Sequence, residues 1–213
     1  PNTTVNETRR YCYGNQPQIG LWNLARLAEA LLPLMPKEDL EAGLALYGNV
    51  YQESFGRALA QKLGLPALDR EGDEELLTEL FQALNAVETD FTLFFRGLSA
   101  VREDALVAPL ARAFYAEPPA GHVARLEAWL RRWLARSPDR SRMNAVNPKY
   151  VPRNYLAQQA IDAMAGGDAS VLERLMTVLE RPYDEQPAND DLAQKRPEWA
   201  RHKAGCSALS CSS

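Results

Sequence analysis

The stretch GHVARLEAWLRRWLAR, Gly121 to Arg136, carries apolar residues at three-and-four spacing. Val123, Leu126, Trp129 or Leu130, and Trp133 fall on one face. Arg125, Arg131, Arg132 and Arg136 occupy the rest and read as a solvated face. That pattern is an amphipathic helix, and the two tryptophans, four apart, read as core residues.

The same reading extends toward the C-terminus. Ser137–Asn147 is a polar break. Arg153–Ala165 and Asp168–Glu180 make a helical hairpin around Gly166 and Gly167, with Asp168 as N-cap of the second arm. From Arg181 the chain is polar and punctuated by proline, which predicts an irregular tail.

Toward the N-terminus, a helix is expected over Asp104–Tyr115. Thr89–Phe95 is short and aromatic, with Phe91, Phe94 and Phe95 expected inside. Asp73–Glu75 opens a helix with the stripe Leu76, Leu77, Leu80, Phe81, Leu84 and Val87. A long helix is expected from about Lys37 to Leu63, carrying Leu40, Leu44, Tyr47, Tyr51, Phe55, Ala58 and Lys62 on one face. Gly43, Gly48 and Gly56 each weaken it by roughly 1 kcal/mol, so a break is weighed there. Gly64 and Pro66 stop it. Asn15 and Pro17 start the first helix, whose apolar stripe runs from Leu21 to Leu32 before Pro33 and Pro36 end it. Pro1–Arg10 reads as loop.

Composition agrees with an all-α chain of seven or eight helices. Leucine and alanine supply 61 of 213 residues and isoleucine two, so a sheet-dominated fold is excluded. No apolar run reaches the roughly 18–20 residues of a membrane helix, and no membrane partner is expected. Net charge is −4 with both signs mixed, which argues against nucleic acid as a partner. The chain opens on Pro1 rather than methionine, so a processed chain or a piece of something longer is expected. No signal-like apolar segment opens it, and three cysteines are too few for a disulfide framework, so a reducing cytoplasm is expected.

Generic catalytic patterns are absent: no glycine-rich phosphate loop, no G-x-S-x-G elbow, no H-E-x-x-H. Gly166-Gly167-Asp168 reads as a tight turn. Asn2 and Asn6 satisfy the glycan rule by coincidence. His202, Cys206 and Cys211 offer three ligands at a spacing that matches no common zinc motif. Cys206 and Cys211 are expected to be solvent-reachable thiols. A redox role, with exchange to Cys12, stands beside that reading. The arginines from Arg125 to Arg142 are a basic stretch that could meet phosphate or an acidic partner, though the solvated face is the plainer reading.

Four ordered blocks then resemble the selenoprotein O family, kinase-like proteins that transfer AMP to other proteins. They are Arg9–Pro17 with Ile19–Ala28, Asn147–Gln158 (NPKYVPRNYLAQ), Pro182–Pro187, and Arg196–Ala200; the end, Leu209–Ser213, is similar as well. Pro152 departs from the usual block, where an aliphatic residue is commoner. The resemblance implies a helical bundle like the C-terminal lobe of a protein-kinase-like fold plus an irregular tail. Residues 1–16 would end an activation-segment-like loop, 17–180 would be the helical lobe and 181–213 the tail.

It also implies that the nucleotide-binding lobe and all catalytic residues lie upstream of Pro1, in a missing N-terminal part. ATP as AMP donor, Mg²⁺ or Mn²⁺, and protein substrates bearing hydroxyl side chains are implied for the full-length protein. No cofactor is expected to be held by this chain alone, which is expected to be inactive. Cys211 corresponds to the family's tail cysteine or selenocysteine, linked with redox control; a disulfide to another cysteine fits that role, and no matching family cysteine is placed at Cys12. A non-catalytic helical interaction module and a redox-sensing module are the alternatives.

Overall fold

The computed structural model describes residues 13–203 and Cys206. Cys12, Cys211 and the expected N-terminal loop lie outside the described residues. The described chain is all-α. Its helices are α1 (Gln16–Leu31), α2 (Lys37–Lys62), α3 (Asp73–Ala86), α4 (Phe91–Leu98), α5 (Ala120–Ala135), α6 (Arg140–Met143), α7 (Asn154–Ala165) and α8 (Ser170–Leu179). Short 3₁₀ helices cover Tyr13–Asn15, Ala108–Ala113, Pro187–Ala193 and Glu198–Ala200. Among the described residues no strand forms, only isolated bridges such as Thr89 with Phe114.

Two compact units divide the chain: Arg57–Arg196, and the residues up to Gly56 together with those from Pro197. In the Arg57–Arg196 unit, α5 is the centre. His122, Leu126, Trp129, Leu130 and Trp133 are all buried, so the choice between Trp129 and Leu130 resolves to both. The indoles stack nearly parallel, 6.2 Å apart. Each also needs a partner for its N–H in an apolar interior. Trp129 Nε1 donates to the Leu76 carbonyl at 2.7 Å, and Trp133 Nε1 to the Leu63 carbonyl at 2.9 Å. These bonds tie α5 to α3 and to the end of α2. Leu63, Leu80, Leu98, Leu110 and Met143 complete the core.

α2 is unbroken, contrary to the weighed break. Its half-buried stripe Leu40, Leu44, Tyr47 and Tyr51 continues into buried Leu59 and Ala60, and packing outweighs the glycine cost. Gly64 ends it as expected, at φ +68°. A Cβ there would lie 2.9 Å from the Asp139 carbonyl oxygen, so only glycine fits.

Three other expectations change. Asp104–Tyr115 is not an α-helix. Arg102 and Ala105 exchange backbone hydrogen bonds in a tight turn, and Pro109 sits in the first turn of the 3₁₀ helix Ala108–Ala113. Leu106, Leu110 and Ala113 are buried all the same; over two turns their spacing suits either helix type. Phe91 is half exposed, while Phe94 and Phe95 are buried. Asp90 fixes this phase: its carboxylate accepts from Leu93 N at 3.0 Å, starting α4 so that Phe91 stands at the rim. Asp168 accepts from Ser170 N at 2.9 Å, but the cap position is Ala169, one residue later than expected.

In the other unit, α1 begins at Gln16 with Pro17 in its first turn, although Asn15 makes no side-chain cap bond. Gly20 allows Tyr47 to approach: its hydroxyl would lie 2.7 Å from a Cβ at that position, and it donates to the Pro17 carbonyl at 3.0 Å. Tyr47, Tyr51 and Phe55 stack in series along α2. No residue of α1 is buried, and Leu21, Trp22, Leu24 and Leu27 are exposed.

Candidate functional site

The charged side chains with the most defined geometry lie in the Arg57–Arg196 unit, between the core and residues 147–196. Asn147 is buried. Its Nδ2 donates to the Lys62 carbonyl at 2.8 Å, and its Oδ1 accepts from Lys62 Nζ at 3.2 Å. Lys62 Nζ also lies 5.5 Å from the Phe95 ring centroid, and burial lowers its pKa. Arg96, in the last turn of α4, binds four oxygens. Nη1 donates to the carbonyls of Asn144 and Asn147, and Nη2 to the Tyr183 carbonyl and the Glu185 carboxylate.

Lys149 sits between Glu185 and Asp190, 2.6 Å from each. Burial alone would lower its pKa, but the hydrogen bonds to Asp190 and Glu185 outweigh that and raise it. The same bond from Lys149, then that from Arg96, lowers the pKa of Glu185. Lys149 and Glu185 therefore stay ionised through neutral pH.

A second cluster centres on Arg153, just before α7. Its guanidinium grips the buried Asp90 carboxylate through both Nη atoms. Burial pulls the Arg153 pKa down and the Asp90 bond more than restores it; burial, followed by the Asp90 charge, raises that of Tyr115. Arg196 stacks on Tyr115 and bonds Glu88 at 2.6 Å. Tyr150 and Tyr155 donate their hydroxyls to the carbonyls of Gln186 and Gln194. Chemically, these groups hold backbone segments in place. The segment Arg181–Arg196 forms no α-helix, yet it is fastened at each of these points.

Of the residues singled out for redox chemistry, Cys206 is described and is buried, with its N–H donating to the Lys203 carbonyl at 3.1 Å. That corrects its expected solvent reach. Cys12 and Cys211 fall outside the described residues. His202 is exposed. In the basic stretch Arg125, Arg131, Arg132 and Arg142 are exposed, as a solvated face requires, while Arg136 pairs with the buried Asp73 and Arg140 donates to the Val101 carbonyl. Sequence reading missed the Asp90–Arg153 pair. Asp90 ahead of an aromatic run was a readable cap signal, but its partner lies 63 residues away.

The polar ties therefore converge on Asn147–Gln158 and Pro182–Pro187, the two blocks singled out by resemblance. The sequence model of a family described as protein adenylyltransferase SelO matches residues 2–180. The chain belongs to that family. Relatives described as protein nucleotidyltransferase YdiU match over 100% of this chain. They include proteins from Nitrosospira multiformis, 47% identical, Rhodopirellula baltica, 45%, and Aromatoleum aromaticum, 46%. The chain spans only 43–44% of their length.

Adenylyl transfer by a SelO protein implies a divalent cation. Among the described residues of this SelO chain, no group of three or more His, Cys, Asp and Glu is placed to hold one. No helix among the described residues is long and apolar enough to cross a membrane.

Proposed function

We propose that this chain is the helical C-terminal portion of a longer, kinase-like protein adenylyltransferase, a pseudokinase that moves AMP from ATP to hydroxyl side chains of proteins. One observation carries the reading: the whole chain aligns to relatives at 45–47% identity yet covers 43–44% of their length. Catalytic residues, ATP and Mg²⁺ or Mn²⁺ belong to the part upstream of Pro1 in this reading, within a bacterial-type cytoplasm. Residues 1–16 end an activation-segment-like loop, 17–180 form the helical lobe and 181–213 the tail. The role of this chain is positional: in phosphoryl-type chemistry catalysis is placement plus charge neutralisation, which needs a rigid scaffold. The Arg96, Lys149 and Arg153 ties would supply rigidity. Purified residues 1–213 incubated with labelled ATP and a protein mixture should transfer no AMP. Transfer would overturn the upstream placement.

The exposed apolar face of α1 favours a companion reading, that Leu21, Leu24 and Leu27 meet the missing portion. Strong fluorescence of a hydrophobic dye is expected with the isolated chain; no enhancement would mark an autonomous domain. For the redox reading, Cys211 carries the role, since Cys206 is buried. Three reactive thiols after mild oxidation and denaturation would sink it.

A further inference from the structure

A cleft of about 200 Å³ opens within the Arg57–Arg196 unit, lined by Thr92 and Arg96 of α4, Arg112, Lys149, Glu185 and Asp190 among others. Its charge is unbalanced, three cations against two carboxylates. The Arg96 and Lys149 side chains are only 12% and 17% exposed, whereas that of Glu185 is 63% exposed. A side chain standing mostly in solvent thus places its carboxylate between two cations that are mostly withdrawn from it. Glu185 Oε1 lies 2.7 Å from Arg96 Nη2, and Oε2 lies 2.6 Å from Lys149 Nζ. Arg112 bonds the neutral Gln194 side chain at 3.2 Å, and among the described residues it forms no ion pair.

We propose that this cleft is a binding site for a small oxyanion, a phosphate or carboxylate group, and that Glu185 is its displaceable internal occupant. The inference is independent of the proposed function. Arg96 remains anchored by the carbonyls of Asn144, Asn147 and Tyr183 when Glu185 swings out, and Lys149 remains anchored by Asp190. The cation pair is therefore preorganised for a second oxyanion, which would take the Arg96 Nη2–H and the Lys149 N–H that Glu185 releases. With Glu185 displaced, three cations face one carboxylate, and the attraction for an anion grows. The volume sets the class. Sites for drug-sized ligands run from roughly 300 Å³ upward, so this cleft takes a phosphate or a small organic acid rather than a nucleotide.

Isothermal titration calorimetry on the 213-residue chain tests this, with inorganic phosphate in one arm and acetate in the other. Glu185→Ala should bind at least one of them about tenfold tighter than the parent chain, because no internal charge-assisted bond has to be displaced. Adding Lys149→Ala to Glu185→Ala should abolish that gain. Adding the exposed Arg112→Ala instead should weaken it several-fold, which keeps the test decisive if the Lys149 variant misfolds. Phosphate alone or acetate alone gaining affinity names the group. No gain with either in Glu185→Ala, or an unchanged gain in both double variants, overturns the proposal.

Discussion

Around α5 the packing is almost wholly apolar, with two indole N–H groups as its buried polar contacts to α3 and α2. Between residues 147 and 196 Tyr150, Tyr155, Leu156, Leu175 and Val178 are buried as well, but side-chain donors to backbone carbonyls and carboxylates add many more polar ties. Tyr150, Val178 and Ala193 form one apolar cluster there. The first region is stabilised by area removed from water, which tolerates small shifts. The second depends on hydrogen-bond geometry in partly buried surroundings, where a missing partner is costly.

Substitutions can break that contrast. Trp133→Ala removes a fully buried indole and its bond to the Leu63 carbonyl; a loss of about 4 kcal/mol in chemical denaturation is expected. A loss below that of an ordinary leucine truncation would show that α5 is not the centre of the core. Arg153→Ala leaves the Asp90 carboxylate buried without its guanidinium, and should cost about 3 kcal/mol. Replacing both residues by apolar ones of similar volume should cost less than the single change. If it costs more, the pair is stabilising in its own right. Tyr150→Phe removes one hydroxyl from the Gln186 carbonyl and should cost about 1 kcal/mol, with proteolysis at residues 181–196 accelerated more than global unfolding.

The pH response sharpens the same contrast. His122 is buried, its Nδ1 has no hydrogen-bond partner, and its pKa is lowered by burial and then by the charge of Arg125. The folded state therefore binds its proton less readily than the unfolded chain. Stability is full above the ordinary histidine value of 6.5 and falls as pH drops below it. Thermal melts from pH 8 to pH 5 should show this loss, and His122→Phe should flatten the profile. An unchanged profile in that variant would exclude His122 as the cause. The smallest effect is expected at Leu27, exposed on α1: Leu27→Lys should change stability by less than about 0.5 kcal/mol while lowering dye binding.

Much of the first region was legible in the sequence. Leu126, Leu130 and Trp133 lie on one face because a helix repeats about every 3.6 residues. Gly64 was readable as a stop, since its backbone conformation admits little else. Less was legible where periodicity is short or shared. Leu106 and Leu110 suited an α-helix and a 3₁₀ helix equally, and Phe91 was misplaced because its phase depends on the Asp90 cap. In the second region composition read the irregular backbone correctly but not its fastening. Prolines and charges in Arg181–Arg196 read as an irregular tail, yet Glu185, Gln186 and Asp190 are the points at which it is fastened.

The sequence by itself determined that this protein is helical, where most of its helices start and stop, and which family it resembles. These follow from local propensity, apolar period and motif order, all of which act over short spans. The tertiary structure alone decided the partners: Trp133 with Leu63, Arg153 with Asp90, and Lys149 with Glu185, at separations of 70, 63 and 36 residues. Such pairings depend on where the folded backbone brings distant groups together, and a charged residue carries no local mark of its partner.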